Sequence, residues 1–173
     1  MIWGDNLNEK ISGNLIIIGG AEDKRGKKEI LKKVAEYINT KEDKMLIATI
    51  ATEYPEKTYD DYKNIFIKLG IKNIDKLDIS KREDAFNDKN INLIKTTNLL
   101  FFTGGDQLRI TSMIGGTPIY NVIKELCSNG GVIAGTSAGA SVMSDTMIVE
   151  GEDDESPHKC TLKMSPGLGL VKN

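Results

Sequence analysis

Histidine and cysteine are scarce in this sequence of 173 residues. There is one histidine, His158, and there are two cysteines, Cys127 and Cys160. The two cysteines do not have the spacing of a metal-binding or disulfide framework. Because the sequence shows no export signal, we expect both to be free thiols in a reducing, cytoplasmic compartment, with Cys127 packed as a small apolar residue on a helix.

Long apolar runs and an excess of positive charge are also missing. No segment approaches the length of about 20 apolar residues that a membrane-spanning helix needs. The first residues, MIWGDNLNEKISG, contain no basic region followed by an apolar stretch, so we expect no secretory signal. The formal net charge is −2, with both signs mixed along the chain, which argues against a nucleic-acid partner. The length predicts a single globular domain over residues 1–173.

What the sequence does contain is an alternation of apolar runs and amphipathic segments. Strands are predicted at 14–20, 45–52, 74–79, 98–105, 130–135 and 146–150, and helices at 27–39, 58–70, 83–96, 106–113, 118–128 and from 138 onwards. The final SPGLGLVKN predicts a loop that enters another strand. Strands rich in Ile, Leu and Val between helices predict an α/β fold, a doubly wound and mostly parallel sheet with helices on both faces. Ligands of such sheets bind beyond the carboxyl ends of the strands.

One of these strand ends carries the sequence GTSAG, residues 135–139. G-x-S-x-G between a strand and a helix is typical of a nucleophile elbow, in which Gly135 and Gly139 prevent collisions around a sharp turn. Ser137 is then the predicted nucleophile, and the backbone N–H of Ala138 is a predicted oxyanion donor. The alternative is a glycine-rich turn that binds phosphate or no ligand.

A second glycine pair follows the predicted strand at 98–105, in TGGDQ. Glycines let the backbone approach a ligand closely, so Gly105 is the predicted second oxyanion donor. Gln107 and Asp106 are predicted substrate-binding residues, Gln107 through its side-chain amide. The alternative is an ordinary turn in which Asp106 caps the next helix.

A third loop, GGAED at 19–23, resembles a phosphate-binding turn but lacks the G-x-G-x-x-G fingerprint. Its acidic residues, Glu22 and Asp23, are predicted either to orient a cationic group or to cap the following helix. The sequence does not choose between these two roles.

The segments IIIGGAEDK, FFTGGDQLR and AGTSAGASVM, in this order, resemble cyanophycinases, within the serine peptidase family that also contains aspartyl dipeptidase. The resemblance implies a fold like that of class I glutamine amidotransferases, with serine at the elbow. It implies exopeptidase cleavage of cyanophycin to β-aspartyl-arginine dipeptides, without metal or cofactor, by a homodimer. It assigns Ser137 as nucleophile, Gly105 and Ala138 as oxyanion donors, and Gln107 as a substrate-binding residue.

The sequence departs from this family after GLGLV. The family continues with a further strand and a DQHF-like motif that carries the catalytic histidine, and its acidic partner comes later. This chain stops at Asn173, so we expect it to be the N-terminal portion of a longer family domain, either a fragment or a truncated gene product. His158 lies in a polar loop and is a weaker candidate for the base.

Three functions follow as hypotheses. The first is a serine exopeptidase of the cyanophycinase type, the second an aspartyl dipeptidase-like peptidase, and the third a non-catalytic binding remnant that lacks the base. Because a serine hydroxyl needs a base beside it, we expect negligible hydrolysis by the 173-residue chain. We also expect it to expose an unpaired sheet edge and to associate.

Overall fold

The structure, a computed structural model, describes residues 13–150 and 163–171. The main sheet is built from β1 (Asn14–Ile18), β2 (Lys44–Ala48), β3 (Asn73–Leu77), β4 (Leu99–Phe102) and β5 (Val132–Thr136). Its strand order is β1-β5-β4-β2-β3, and every neighbouring pair is parallel. The chain therefore leaves β1, builds the far half of the sheet and returns to place β5 beside β1.

Six α-helices connect or follow these strands. They are α1 (Glu29–Ala35), α2 (Pro55–Lys68), α3 (Asp88–Lys95), α4 (Gln107–Ile114), α5 (Pro118–Ser128) and α6 (Ala138–Ser141), with a 3-10 helix at Arg82–Phe86 before α3. Two further strands, β6 (Thr146–Glu150) and β7 (Lys163–Pro166), form a separate antiparallel pair. None of the helices in the described ranges has the length and apolar composition needed to cross a membrane.

The sheet is covered on both faces. In β4, Phe101 packs into a cluster with apolar residues of α1 and α2, and Phe102 packs into a second cluster with residues of α3 to α6. Both phenylalanines are fully buried, because successive side chains of a strand point to opposite faces. The predicted α/β fold with a mostly parallel sheet and helices on both faces is therefore confirmed.

Several elements are shorter than the sequence predicts. The predicted strand at 45–52 ends at Ala48, where its pairing with β3 and β4 also ends. The predicted helix at 83–96 is interrupted at Asn87, whose side chain accepts the backbone N–H of Lys89 and caps α3. An asparagine side chain competes for backbone hydrogen bonds, so it favours a helix start over a helix interior.

The final segment corrects one expectation. The strand lies before the glycine loop, at β7, and residues 167–171 contain no strand. Leu168 and Leu170 are instead buried against the core, and their N–H groups donate to the carbonyls of Val142 and Met143. The apolar residues of this segment therefore serve packing rather than strand pairing.

The carboxyl ends of three adjacent strands lie side by side. Ile18 at the end of β1 pairs with Thr136 at the end of β5, and Phe102 at the end of β4 pairs with Gly135. The loops after β1, β4 and β5 consequently leave the sheet at the same edge. These are three of the loops in which the sequence places its candidate functional residues.

Candidate active site

Ser137 stands at the turn between β5 and α6. Its backbone has φ 53° and ψ −117°, one of three non-glycine residues with positive φ in the described ranges. Such a conformation costs about 1–3 kcal/mol and persists only where the surroundings hold it. The backbone N–H of Ser137 donates to the carbonyl of Ile18 at 2.9 Å, and its carbonyl accepts from Ala140 and Ser141 at 2.9 Å each. The observed strand, turn and helix are those that the G-x-S-x-G pattern predicts.

The two glycines around Ser137 are required by close backbone contacts. A Cβ added to Gly135 would lie 2.2 Å from the carbonyl oxygen of Gly139. A Cβ added to Gly139 would lie 2.4 Å from the carbonyl oxygen of Phe102. The turn is therefore packed against itself and against the end of β4. Larger residues at these two positions would push the turn out of place.

Two other loops approach the Ser137 side chain. A Cβ added to Gly20, after β1, would lie 3.2 Å from the Cβ of Ser137, and one added to Gly104, after β4, would lie 3.3 Å from it. A cavity of about 510 Å³ opens at this junction. It is lined by Ala21, Glu22, Asp23, Lys24, Arg25, Thr58, Tyr62, Gly104, Thr136 and Ser137. The structure thus brings the GGAED loop to Ser137 of the GTSAG loop. From the TGGDQ loop, Gly104 also lies at this junction.

The predicted oxyanion donors are Gly105 and Ala138. Gly105 has φ 141°, and a Cβ there would lie 2.1 Å from the carbonyl oxygen of Ala51, so only glycine fits this position. In the described part of the chain, no hydrogen bond uses the backbone N–H of Gly105 or of Ala138. Both N–H groups are free to donate to a ligand, and their role as oxyanion donors stays a prediction.

Gln107 and Asp106 already have partners within the protein. The side-chain N–H of Gln107 donates to the carbonyl of Ile148 in β6 at 2.9 Å. The Asp106 carboxylate accepts the N–H of Leu108 at 2.8 Å and so caps α4, which is the alternative that the sequence left open for it. Neither side chain lines the Ser137 cavity. Their predicted contact with substrate is untested.

Glu22 is the residue whose position the sequence did not specify. It is 7% exposed, although it is a carboxylate. One of its oxygens accepts the hydroxyl of Thr136 at 2.5 Å, and the other accepts the hydroxyl of Tyr62. The ammonium of Lys24 lies 3.6 Å from Glu22 Oε1 and 4.3 Å from the centre of the Tyr62 ring. Glu22 therefore joins the loop after β1 to α2 and to the residue that precedes Ser137.

These contacts determine the protonation states of Glu22 and Tyr62. Burial on its own would raise the pKa of Glu22, but the hydrogen bonds from Thr136 and Tyr62 and the charge of Lys24 outweigh it and lower that pKa. Burial and the adjacent Glu22 raise the pKa of Tyr62 above its ordinary value. Glu22 is thus ionised and Tyr62 is a neutral phenol at neutral pH.

Asp23, beside Glu22, has a different role. Its carboxylate accepts the backbone N–H groups of Gly26 at 2.6 Å, Arg25 at 2.9 Å and Lys28 at 3.1 Å. These hydrogen bonds lower the pKa of Asp23 to about 2. Asp23 therefore fixes its own turn, and of the two predicted acids only Glu22 reaches across the site.

The site has no imidazole within the described residues. The single histidine of the sequence, His158, lies in 151–162, outside the described ranges, as does Cys160. Cys127 is a buried free thiol on α5, as its apolar surroundings predict. The described ranges contain no group of His, Cys, Asp or Glu that would hold a metal ion. Beside its own hydroxyl, Ser137 therefore has nearby the N–H donors of Gly105 and Ala138 and the buried Glu22 carboxylate. The cations Lys24 and Arg25 line the same cavity.

Comparison with known proteins identifies the family of this chain and several of its relatives. The family described as Peptidase family S51 matches residues 15–173. The chain is 32% identical over 166 residues to a cyanophycinase of Geminocystis herdmanii, covering 95% of this chain and 61% of the relative. It is 34% identical over 158 residues to a cyanophycinase of Trichormus variabilis, covering 91% of this chain and 53% of the relative. The chain therefore spans between half and two thirds of the length of these curated relatives.

Two solved structures share the fold. A peptidase from an acI-B1 Actinobacterium superposes with a TM-score of 0.69 at 28% identity, over 93% of this chain and 66% of that one. A putative peptidase E protein from Listeria monocytogenes superposes with a TM-score of 0.64 at 19% identity, over 92% of this chain and 75% of that one. The second match concerns the fold alone, since its sequence has diverged further.

Proposed function

This chain belongs to peptidase family S51, and from that membership we propose that it is the nucleophile-bearing part of a serine exopeptidase of the cyanophycinase type. Its substrate is then cyanophycin, a polyaspartate with arginine on its side-chain carboxylates, and its product is the β-aspartyl-arginine dipeptide. The observation that carries the proposal is Ser137, which faces a cavity of about 510 Å³ at φ 53°. A strained residue on a cavity wall is a feature of functional sites.

The proposed reaction begins at the Ser137 hydroxyl. Its oxygen attacks the carbonyl carbon of the scissile amide while a base takes the hydroxyl proton. The oxygen of the tetrahedral intermediate accepts hydrogen bonds from the N–H groups of Gly105 and Ala138, which have no acceptor elsewhere in the described ranges. The proton passes from the base to the leaving amine as the amide bond breaks. Water then attacks the acyl-enzyme, and Ser137 recovers its proton.

The base in this proposal is a histidine, and none lies in the described ranges. Glu22 is not suited to the role, because its two oxygens already accept the hydroxyls of Tyr62 and Thr136. General-base assistance is worth about a hundred- to ten-thousand-fold in rate. We therefore propose that turnover needs the histidine and acid that the family places after GLGLV.

The test is a dipeptide-release assay with purified cyanophycin. It compares the 173-residue chain with the same chain extended by the carboxyl-terminal segment of a cyanophycinase. The extended protein is expected to release β-aspartyl-arginine, and Ser137→Ala in it is expected to lower release by at least about a thousandfold. The short chain is expected to give no release above background.

The matched control is Ser141→Ala, which removes the hydroxyl of an exposed serine on α6, the helix that follows Ser137, and is expected to leave release unchanged. Turnover by the short chain that is lost in His158→Ala would make His158 the base. Release of aspartate from short N-terminal aspartyl peptides, without release from cyanophycin, would favour the dipeptidase function. Binding of cyanophycin by the extended protein without any cleavage would indicate a non-catalytic binding domain.

A further inference from the structure

We propose that Glu22 is a positioning residue for Ser137: its carboxylate holds the hydroxyl of Thr136 and so fixes the turn on which the Ser137 side chain stands. The functional meaning of this inference rests on the proposed role of Ser137 as nucleophile. The structural part of the inference does not rest on that role, because it concerns contacts between the loop after β1 and the end of β5.

The contact between Glu22 and Thr136 is direct and buried, and the two residues are far apart in the sequence. Glu22 Oε2 accepts the Thr136 hydroxyl at 2.5 Å across 114 residues of chain. Glu22 is 7% exposed and Thr136 is 2% exposed. A hydrogen bond to a charged group is stronger than one between neutral groups, and removing either partner leaves the other buried without its bond. Thr136 is therefore fixed by its side-chain hydroxyl as well as by the backbone pairing of β5.

The loop that carries Glu22 is itself pressed against Ser137. Gly20 comes within van der Waals reach of the Ser137 side chain, since a Cβ there would lie 3.2 Å from Ser137 Cβ. Ala21 has φ 52°, so this loop and the Ser137 turn both hold non-glycine residues at positive φ. The N–H of Ser137 donates to Ile18, the last residue of β1. The two strained turns thus support one another, and Glu22 is a side-chain link between them.

The charged and titratable groups near Glu22 come from its own loop and from α2. Lys24 lies 3.6 Å from its carboxylate on the same loop, and the Tyr62 hydroxyl donates to it from α2. Asp23 and Arg25 line the same cavity. The Asp23 carboxylate is occupied by three backbone N–H groups of its own turn. Lys24 is the cation that compensates Glu22, and its ammonium is thereby held beside the cavity.

The experiment measures amide hydrogen exchange by NMR on the 173-residue chain. The N–H of Ser137 is protected by its bond to Ile18, so its exchange rate reports opening of the turn. Glu22→Gln and Thr136→Val are each expected to raise this rate at least about tenfold. The double variant is expected to raise it no further than the larger single effect, because both changes break the same contact.

Controls separate positioning from general destabilisation. Glu29→Gln removes an exposed carboxylate from the first turn of α1, after the same loop, and is expected to leave the Ser137 rate within about twofold of the unmodified protein. Thr136→Ser keeps the hydroxyl and is expected to restore protection. Exchange of the amides in the last two turns of α5, remote from the contact, is expected to stay unchanged in all variants. Thr136→Val and Thr136→Ser still decide the question if Glu22→Gln fails to fold.

A spectroscopic signature completes the test. The amide shifts of Ser137 and Ala138 are expected to titrate with Glu22, at a midpoint below its ordinary pKa. This titration is expected to persist in Glu29→Gln and to vanish in Glu22→Gln. Ser137 exchange that is unchanged in Glu22→Gln and Thr136→Val, or raised equally in Glu29→Gln, would overturn the inference. No substrate or base is needed, so a failed dipeptide-release assay would refute the proposed function without altering this result.

Discussion

At the two glycines on either side of Ser137, the nearest atoms to an added Cβ are backbone carbonyl oxygens. Gly135 approaches the carbonyl of Gly139, and Gly139 approaches the carbonyl and the Cβ of Phe102. Backbone atoms at the end of a buried strand have little freedom to move, because they are fixed by the sheet ladder. The size restriction at Gly139 therefore comes from the end of β4, and the restriction at Gly135 comes from the first turn of α6.

Replacing Gly139 by alanine is expected to lower the free energy of unfolding by about 1–3 kcal/mol, the usual cost of overpacking a filled site. The added Cβ would lie 2.4 Å from the Phe102 carbonyl oxygen and 2.7 Å from its Cβ. The matched control is Gly19→Ala, where no atom lies within 4 Å of the added Cβ. Urea unfolding at equilibrium measures both. Equal stability of the two variants would show that the turn relaxes without cost.

At the scale of an element, the start of α4 shows how the loop after β4 is joined to the rest of the protein. Asp106 accepts the N–H of Leu108, and Gln107, the first helical residue, reaches β6 through Ile148. The orientation of α4 is thus fixed at its N-terminus from two sides. The backbone N–H of Asp106 also donates to the carbonyl of Ala51 at 2.9 Å, which ties the loop of Gly104 and Gly105 to the segment after β2.

Asp106→Ala is therefore expected to destabilise the protein by about 0.5–2 kcal/mol, the cost of losing a helix N-cap. Asp106→Asn is expected to keep nearly all of the stability, because asparagine caps a helix about as well as aspartate. Thermal unfolding of the two variants measures the difference. A similar loss of stability in both would mean that the charge of Asp106, and not its capping oxygen, is what the protein uses.

At the scale of the whole molecule, the main sheet ends at β1 on one side and β3 on the other. In the described ranges, β1 has a strand neighbour only in β5, and its Ile17 is 59% exposed. An exposed strand edge with an apolar side chain favours pairing with another chain. This edge lies beside the loop that carries Glu22, so association there also bears on the site.

The 173-residue chain is expected to self-associate with rising concentration, and Ile17→Lys is expected to weaken that association at least about tenfold. A charge on an edge strand opposes edge-to-edge pairing. Ile67→Lys is the matched control, since Ile67 is 49% exposed but lies on helix α2 rather than on an edge strand. Sedimentation velocity at several concentrations measures the change. Weakening by Ile67→Lys but not by Ile17→Lys would place the contact on α2 instead.

Several features of this protein followed from the sequence alone. The strands at β4 and β5 are continuous apolar runs, and α5 begins at Pro118 and ends at Ser128 as its periodicity predicts. The turn at Ser137 was also predictable, because two glycines at fixed spacing and a preceding buried strand are local signals. Local periodicity and turn chemistry are encoded over a few residues, so one segment of sequence is enough to find them.

Other features were decided by the tertiary structure. The sequence did not specify that the Glu22 carboxylate would accept the Thr136 hydroxyl, that the Gln107 side chain would donate to Ile148 of β6, or that Gly104 would approach Ser137. Each depends on which strands become neighbours, and the order β1-β5-β4-β2-β3 places side by side strands that are far apart in the sequence. A contact across 114 residues has no local signature, because it arises only when packing brings two distant turns to the same edge.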